Sequence, residues 1–152
     1  MAKFRHIAVA TEDPDATAQF YIDAFEFEWV RKAQGDYGYG HILTDGTINM
    51  AVLRFTDPEA MGVEKGASFV GLHHIGFEVD DIDDAIGKVK AAGGVERSDM
   101  NEALGITNPE VVRGELKFEG PNGVIFDLGR PGFWKNVTAT PAGESVAGSR
   151  EA

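Results

Sequence analysis

The chain has 152 residues, of which 43% are hydrophobic, and its 25 Asp and Glu against 14 Lys and Arg give a formal net charge of −11. That length suits one domain or two small halves sharing a core, and the acidic balance argues against a nucleic-acid partner, whose phosphates need a clustered positive field. The absence of cysteine removes any disulfide framework or thiolate metal site, and no apolar run is long enough to span a membrane.

The opening stretch MAKFRHIAVA lacks a signal-peptide cleavage pattern, which fits a cytoplasmic protein. FRHIAVA reads as a strand whose alternation puts His6, Ala8 and Ala10 on one face and Ile7 and Val9 on the other. TEDPDATAQFYIDAF then starts a helix that Thr11 or Asp13 can cap, with Pro14 in its first turn and Phe20, Ala24 and Phe27 near helical spacing. EWVRKA, YGYGHILT and TINMAVLRF read as three further strands, with turns at Gln34 to Asp36 and at Asp45-Gly46, a strong hairpin signal. These elements make a first module over residues 1–56.

Residues 57–68 lack sustained periodicity and read as a linker. A second module follows over residues 69–135. LHHIGFEV is its first strand, and its helix runs from Ile82 to Ala92, stopped by Gly93 and Gly94. VERSDMNEALGITNPEVV holds a short strand and a loop, and GELKFEG and GVIFDLG are two strands joined by the turn PNG. Residues 136–152 are small, polar and aperiodic, which predicts a disordered tail.

The two halves are an internal repeat. A shift of 68 positions (74 − 6) lays His6 on His74, Ile7 on Ile75, Ala8 on Gly76 and Asp13 on Asp81. Each half has one amphipathic helix, so one sheet face of each is left uncovered. The residues beside His6 and His74 on that face are small and the opposite ones bulky. The small face leaves room for a ligand.

Other residues carry weaker signals. His73 should point away from His74, because strand side chains alternate, and reads as structural. His41, Tyr37 and Tyr39 share a parity and form either an aromatic wall of a cleft or ordinary sheet packing. Glu78 shares the face of His74, as a general base or as a solvated strand-end carboxylate. Asp80, Asp81, Asp83 and Asp84 lack calcium-loop spacing and suit the N-terminus of a helix. GPNG is a turn and not a phosphate loop, since no helix follows it.

The stretches RHIAVATEDPDATAQFYIDAF, GLHHIGFEVDDIDDAIGKVKAAGG and FEGPNGVIFDLGRPG make the chain resemble the vicinal oxygen chelate superfamily, which includes glyoxalases, epimerases, extradiol dioxygenases and bleomycin-resistance proteins. The resemblance runs from about Lys3 to Trp134. It implies an α+β fold of two βαβββ modules pairing around a metal-binding cleft. It implies metal ligands at His6, His74, Asp127 and Asn49, with Asp127 also the carboxylate that moves a proton. Asn49 stands where glyoxalase-like members have Glu and some epimerase-like members Gln. Asp127 stands where the family usually has Glu. The resemblance further implies a small-molecule substrate and a homodimer, with the modules paired within or between chains. Two imidazoles and a carboxylate suit non-haem Fe(II) and also accept Zn, Ni or Mn, so the cofactor is a divalent transition metal.

Three functions follow. The first is a metal-dependent glyoxalase-like lyase or isomerase acting on a small vicinal-oxygen substrate. The second is a non-haem Fe(II) extradiol-type dioxygenase. The third is a non-catalytic small-molecule binding protein like the bleomycin-resistance proteins, in which the repeated histidines are inherited scaffold.

Overall fold

A computed structural model describes residues 1–106 and 115–134. β1 (Lys3–Ala10) leads into α1 (Pro14–Phe25), β2 (Glu28–Gly35), β3 (Gly38–Thr44) and β4 (Asn49–Phe55). The one-turn helix α2 (Pro58–Met61) and a 3-10 turn (Val63–Lys65) come next. They are followed by β5 (Gly71–Glu78), α3 (Ile82–Ala91), β6 (Val95–Glu96), α4 (Ser98–Ala103), β7 (Leu116–Glu119) and β8 (Ile125–Gly129). The tail expected over residues 136–152 lies outside the described residues, as do residues 107–114. No helix among the described residues is long and apolar enough to cross a membrane.

Local chemistry sets the element ends. Asp13 caps α1 by accepting from the Ala16 amide at 3.0 Å, and Asp81 caps α3 by accepting from the Asp84 amide at 3.0 Å. Between β3 and β4, Asp45 accepts from the amides of Thr47 and Ile48 at 2.8 and 2.9 Å, and Gly46 takes φ +94°. Those amides hold the Asp45 carboxyl below its ordinary pKa. The inward face of α1 is Pro14 and Ala18, with Tyr21 and Ile22 packed on the same core. Phe20 stays exposed, so the apolar stripe is offset from the Phe20–Ala24 spacing.

One segment differs from its sequence reading. Residues 98–103, expected as loop, form α4 because the turn docks on β7. Met100 is fully buried, and the buried Asn101 side chain pairs with the backbone of Lys117, accepting at 2.9 Å and donating at 3.3 Å. Six residues are too few to show a helical period. Arg97, just before α4, binds Glu64, Asp99 and Glu119 at 2.7–3.0 Å and ties the segment between the modules to β7.

The eight strands of the described residues form one sheet, in the order β2-β3-β4-β1-β5-β8-β7-β6. Each module puts its last strand parallel to its first, and the two first strands pair antiparallel within the one chain. Leu43, Met50 and Val52 pack under α1, while Leu116, Phe118 and Leu128 pack with Ile82 and Ile86 of α3. The opposite face carries the small residues Ala8, Ala33 and Ala51, as the alternation predicts.

The β1–β5 register is interrupted twice. Phe4 opposes Phe77 and His6 opposes Gly76, so Arg5 is an extra residue; Ala8 opposes His74 and Val9 opposes Leu72, so His73 is another. These are β-bulges, which bend a strand and re-aim a side chain. Each stands one residue before the repeated histidine of its module.

Glycines make one requirement explicit. A Cβ built on Gly40 would stand 1.9 Å from the backbone oxygen of Val52, which cannot yield without breaking the sheet, whereas one on the exposed Gly87 in α3 meets nothing within 4 Å. Gly40→Ala should therefore lower stability by about 1–3 kcal/mol. Gly87→Ala should raise it by about 0.5–1 kcal/mol, since Ala restricts the unfolded chain and favours helix. Urea denaturation of both variants checks the pair; equal effects would contradict the packing.

Candidate metal centre

Strand pairing alone brings the repeated histidines together. His6 opposes Gly76 across the β1–β5 pair, and Asp127 lies beside Gly76 in the parallel β5–β8 pair. His74 opposes Ala8 two residues away. Gly76 is the space between them: a Cβ there would stand 2.7 Å from His6 Cβ and 2.9 Å from Trp134 Cη2.

His6 Nε2 lies 3.1 Å from His74 Nε2, which lies 3.1 Å from Asp127 Oδ2. Asp127 Oδ2 and Glu115 Oε1 each lie 3.9 Å from His6 Nε2. One ligand atom from each of these four residues falls within 4.8 Å of all the others. His6, His74 and Asp127 are buried and Glu115 is half-buried. Asp127 is short for its position, but its strand runs beside Gly76, so the carboxylate reaches His74.

The charges are arranged asymmetrically. Lys117, buried in β7 opposite Asp127, donates from Nζ to Asp127 Oδ1 at 2.6 Å. Asp127 Oδ2 is buried with no hydrogen-bond partner among the described residues. Such an oxygen is costly unless a cation or donor meets it. Burial, with Lys117 and His6 adding to it, holds His74 well below the ordinary imidazole pKa. Burial, followed by the adjacent His74, pushes His73 down to about 3. Both rings are neutral at neutral pH, the state that binds metal.

The far nitrogens are also engaged. Asn49 Oδ1 lies 2.6 Å from His6 Nδ1. An amide oxygen only accepts, so His6 Nδ1 carries the proton and Nε2 offers a lone pair. His74 Nδ1 lies 2.7 Å from His73 Nδ1, and His73 Nε2 lies 2.6 Å from the Met61 carbonyl. Trp134 stacks on His6 with ring centroids 5.2 Å apart and planes 6° from parallel.

These donors fit a divalent ion. Two ligands each about 2.1 Å from one metal stand about 3–4 Å apart, which matches the spacing of the nitrogens and Asp127 Oδ2. The unpartnered carboxylate oxygen gives the positive charge something to neutralise. The group opens on a cleft of about 400 Å³ whose walls include Ala33, Ile42, Ala51, Leu53, Phe55 and Trp134. That volume suits a small molecule.

The structure separates the residues singled out in the sequence. Tyr37 lines the cleft, because it sits in the turn before β3 where strand parity does not apply. His41 does not: it lies on the α1 side, with Nε2 2.6 Å from Asp15 Oδ1 and Nδ1 accepting from Trp29 Nε1 at 3.1 Å. Tyr39 is exposed. Glu78 opposes Lys3 at the strand end, outside the four-residue group. Asp84 pairs with Lys88 at 2.7 Å, and Asp80 pairs with the terminal amine. His73, expected to point away from His74, touches it because the bulge cancels the alternation. Glu115 and Lys117 are the residues that sequence reasoning passed over. Their signal was the hairpin: around the PNG turn, Lys117 must oppose Asp127, and Glu115 shares its parity.

Comparison with known proteins places this geometry in context. The family model described as Glyoxalase/Bleomycin resistance protein/Dioxygenase superfamily matches residues 3–128. No curated protein matches the chain. Among solved structures, a hypothetical protein from Bacillus halodurans C-125 is 20% identical with a TM-score of 0.63, covering 85% of this chain and 94% of its own. A methylmalonyl-CoA epimerase from Streptomyces coelicolor, in complex with 2-nitronate-propionyl-CoA, is 22% identical with a TM-score of 0.60, covering 84% and 96%. One from Mycobacterium tuberculosis is 16% identical with a TM-score of 0.60, covering 84% and 87%. These likenesses show the glyoxalase-like fold.

The Lys117–Asp127 pair generates a stability prediction. In metal-free protein, Lys117→Met strands a buried carboxylate and should cost about 3–5 kcal/mol, while Lys117→Met combined with Asp127→Leu should recover most of it. Urea melts of the single and double variants check this. A double variant no more stable than the single one would show that the two groups do not act as a pair.

Proposed function

The chain belongs to the Glyoxalase/Bleomycin resistance protein/Dioxygenase superfamily, and on that premise we propose that it is a metal-dependent lyase or isomerase acting on a small substrate with two adjacent oxygens. The observation that carries the reading is the convergence of two imidazole nitrogens and an unpartnered, fully buried carboxylate oxygen at the wall of a small-molecule cleft.

In this reading His6, His74 and Asp127 hold the ion. Asn49 orients His6 through Nδ1 and is not itself a ligand. The ion, whether iron, zinc, nickel or manganese, supplies Lewis acidity for negative charge that develops on the substrate's two oxygens. Lys117 holds one oxygen of Asp127, which fixes the carboxylate as a ligand and removes it as a proton carrier. Glu115 is the half-exposed carboxylate of the group and lines the cleft. It takes the proton from the carbon beside the substrate oxygens and returns it to the neighbouring carbon; inversion at the first carbon instead requires delivery from the opposite face by a second proton donor. The apolar walls hold the rest of the substrate and exclude water from the exchange.

The solved epimerases bind CoA esters, which supports the isomerase branch through fold likeness. The dioxygenase alternative rests on the same three ligands, since two histidines and one carboxylate suit non-haem Fe(II). The second acidic group, Glu115, favours proton transfer over oxygen chemistry.

Two measurements test the proposal together. Elemental analysis should give one divalent ion per chain, abolished in His6→Ala and His74→Ala, strongly weakened in Asp127→Ala and mildly weakened in Asn49→Ala. With the metal-loaded protein in D2O, small 2-hydroxy and 2-oxo carbonyl compounds or acyl thioesters should exchange the proton next to the carbonyl, and Glu115→Gln should slow this about 100-fold or more without emptying the metal site. Wild-type metal content in all four ligand variants would overturn the centre. Oxygen uptake with Fe(II) and no proton exchange would move the assignment to the dioxygenase branch.

A further inference from the structure

His73 is a buried residue that the mechanism leaves unused. In an unbroken strand it would face away from His74. The bulge in β5 makes it the extra residue between the Ala8–His74 and Val9–Leu72 pairs, and its ring lies against His74. It is 3% exposed, with Phe55 4.5 Å and Phe69 6.2 Å away between ring centroids. One nitrogen is 2.6 Å from the carbonyl oxygen of Met61, the last residue of α2.

For neutral rings the contacts from Met61 through His73 to His74 have one proton arrangement, and it puts no proton between His74 Nε2 and His6 Nε2, the place a cation would fill. The Met61 carbonyl only accepts, so His73 Nε2 carries the proton and donates it there. His73 Nδ1 is then a lone pair. It lies 2.7 Å from His74 Nδ1, which must therefore be the protonated nitrogen and the donor. That leaves the Nε2 of His74 as a lone pair facing His6 Nε2 and Asp127 Oδ2.

We propose that His73 is a positioning residue that fixes the tautomer and ring orientation of His74, so that its Nε2 is presented to the metal. The proposal rests on the reading of His74 as a ligand. The repeat supplies an internal contrast. Arg5, 68 positions earlier, occupies the matching bulge in β1, yet its guanidinium reaches the Thr47 carbonyl at 3.1 Å, and His6 receives its orienting partner from Asn49 on the next strand. The two modules give their histidines the same tautomer by different partners. The module-two device also reaches into the segment between the modules, since its anchor is the end of α2. Partners on the far nitrogen of a metal-bound histidine are worth about 10–100-fold in metal affinity.

The test uses the full chain and Zn2+ as probe. In metal-free wild-type protein, two-bond 1H–15N NMR should find the His74 proton on Nδ1. Zn2+ titration against a chromophoric chelator should show affinity lowered about 10–100-fold in His73→Phe, which keeps the ring shape and removes the acceptor. His73→Asn, whose Oδ1 can accept in place of Nδ1, should restore it to within a few-fold. In His73→Phe the His74 proton should move to Nε2 in part or whole. A wild-type His74 protonated on Nε2 would overturn the proposal even if His73→Phe failed to fold. Unchanged Zn2+ affinity in a folded His73→Phe would overturn it as well. A wild-type chain that binds no Zn2+ but shows the Nδ1–H tautomer would instead sink the reading of the site as a metal centre, while the tautomer relay stood.

Discussion

The antiparallel pairing of β1 with β5 is the contact on which the site depends. It joins the two modules edge to edge, and among the described residues no other strand pair crosses between them. Its register sets His6 against Gly76 and His74 against Ala8, so the two rings meet over a glycine and an alanine. A larger residue at position 76 would strike His6 and Trp134, and a one-residue slip of β1 against β5 would put the two histidines on opposite faces of the sheet. The bulges at Arg5 and His73 frame this three-pair window on both sides. Sheet geometry and site geometry are therefore the same constraint.

The parallel neighbours complete the arrangement. β4 brings Asn49 beside His6, and β8 brings Asp127 beside Gly76, so each module's last strand serves the first. The two contributions differ in kind. Asn49 engages the far nitrogen of His6, while Asp127 turns one oxygen toward His74 and gives the other to Lys117. A buried lysine and the site cation would thus face opposite edges of one carboxylate. The ammonium restrains the anion without occupying the place where the two imidazoles converge. Glu115 comes from just before β7 and remains half-exposed, which leaves it the freedom the other members lack.

Much of this was legible in the residues because its causes are local. Histidines at matching points of two copies, small residues beside them, Asp-Pro and Asp-Asp caps and the Asp45-Gly46 turn each act within a few positions. Together they set the element order and put His6 and His74 on the open face, while Asp127 entered only through the family resemblance. What stayed hidden depends on contacts between distant elements. Lys117 reads as a solvated strand lysine until β8 is laid against β7 and brings Asp127 opposite it. His73 lies on the side opposite to the one alternation predicts, because alternation assumes an unbroken strand and an extra residue in the ladder leaves no mark in the sequence. His41 was drawn away from the cleft by Asp15 on α1 and by Trp29 on β2, neither adjacent in the chain. The helix α4 is held by a buried asparagine on the backbone of β7 and not by a period of its own.

His6, His74 and Asp127 are proposed to hold one ion together. X-ray absorption spectroscopy of the zinc-loaded chain addresses this most directly, because it counts imidazoles on the ion without reference to any substrate. Two imidazole nitrogens are expected at about 2.0–2.1 Å with the remaining positions filled by oxygen, and no two-imidazole signal in either His6→Ala or His74→Ala. A wild-type spectrum showing no imidazole ligand, or one that neither substitution changes, would contradict the proposal.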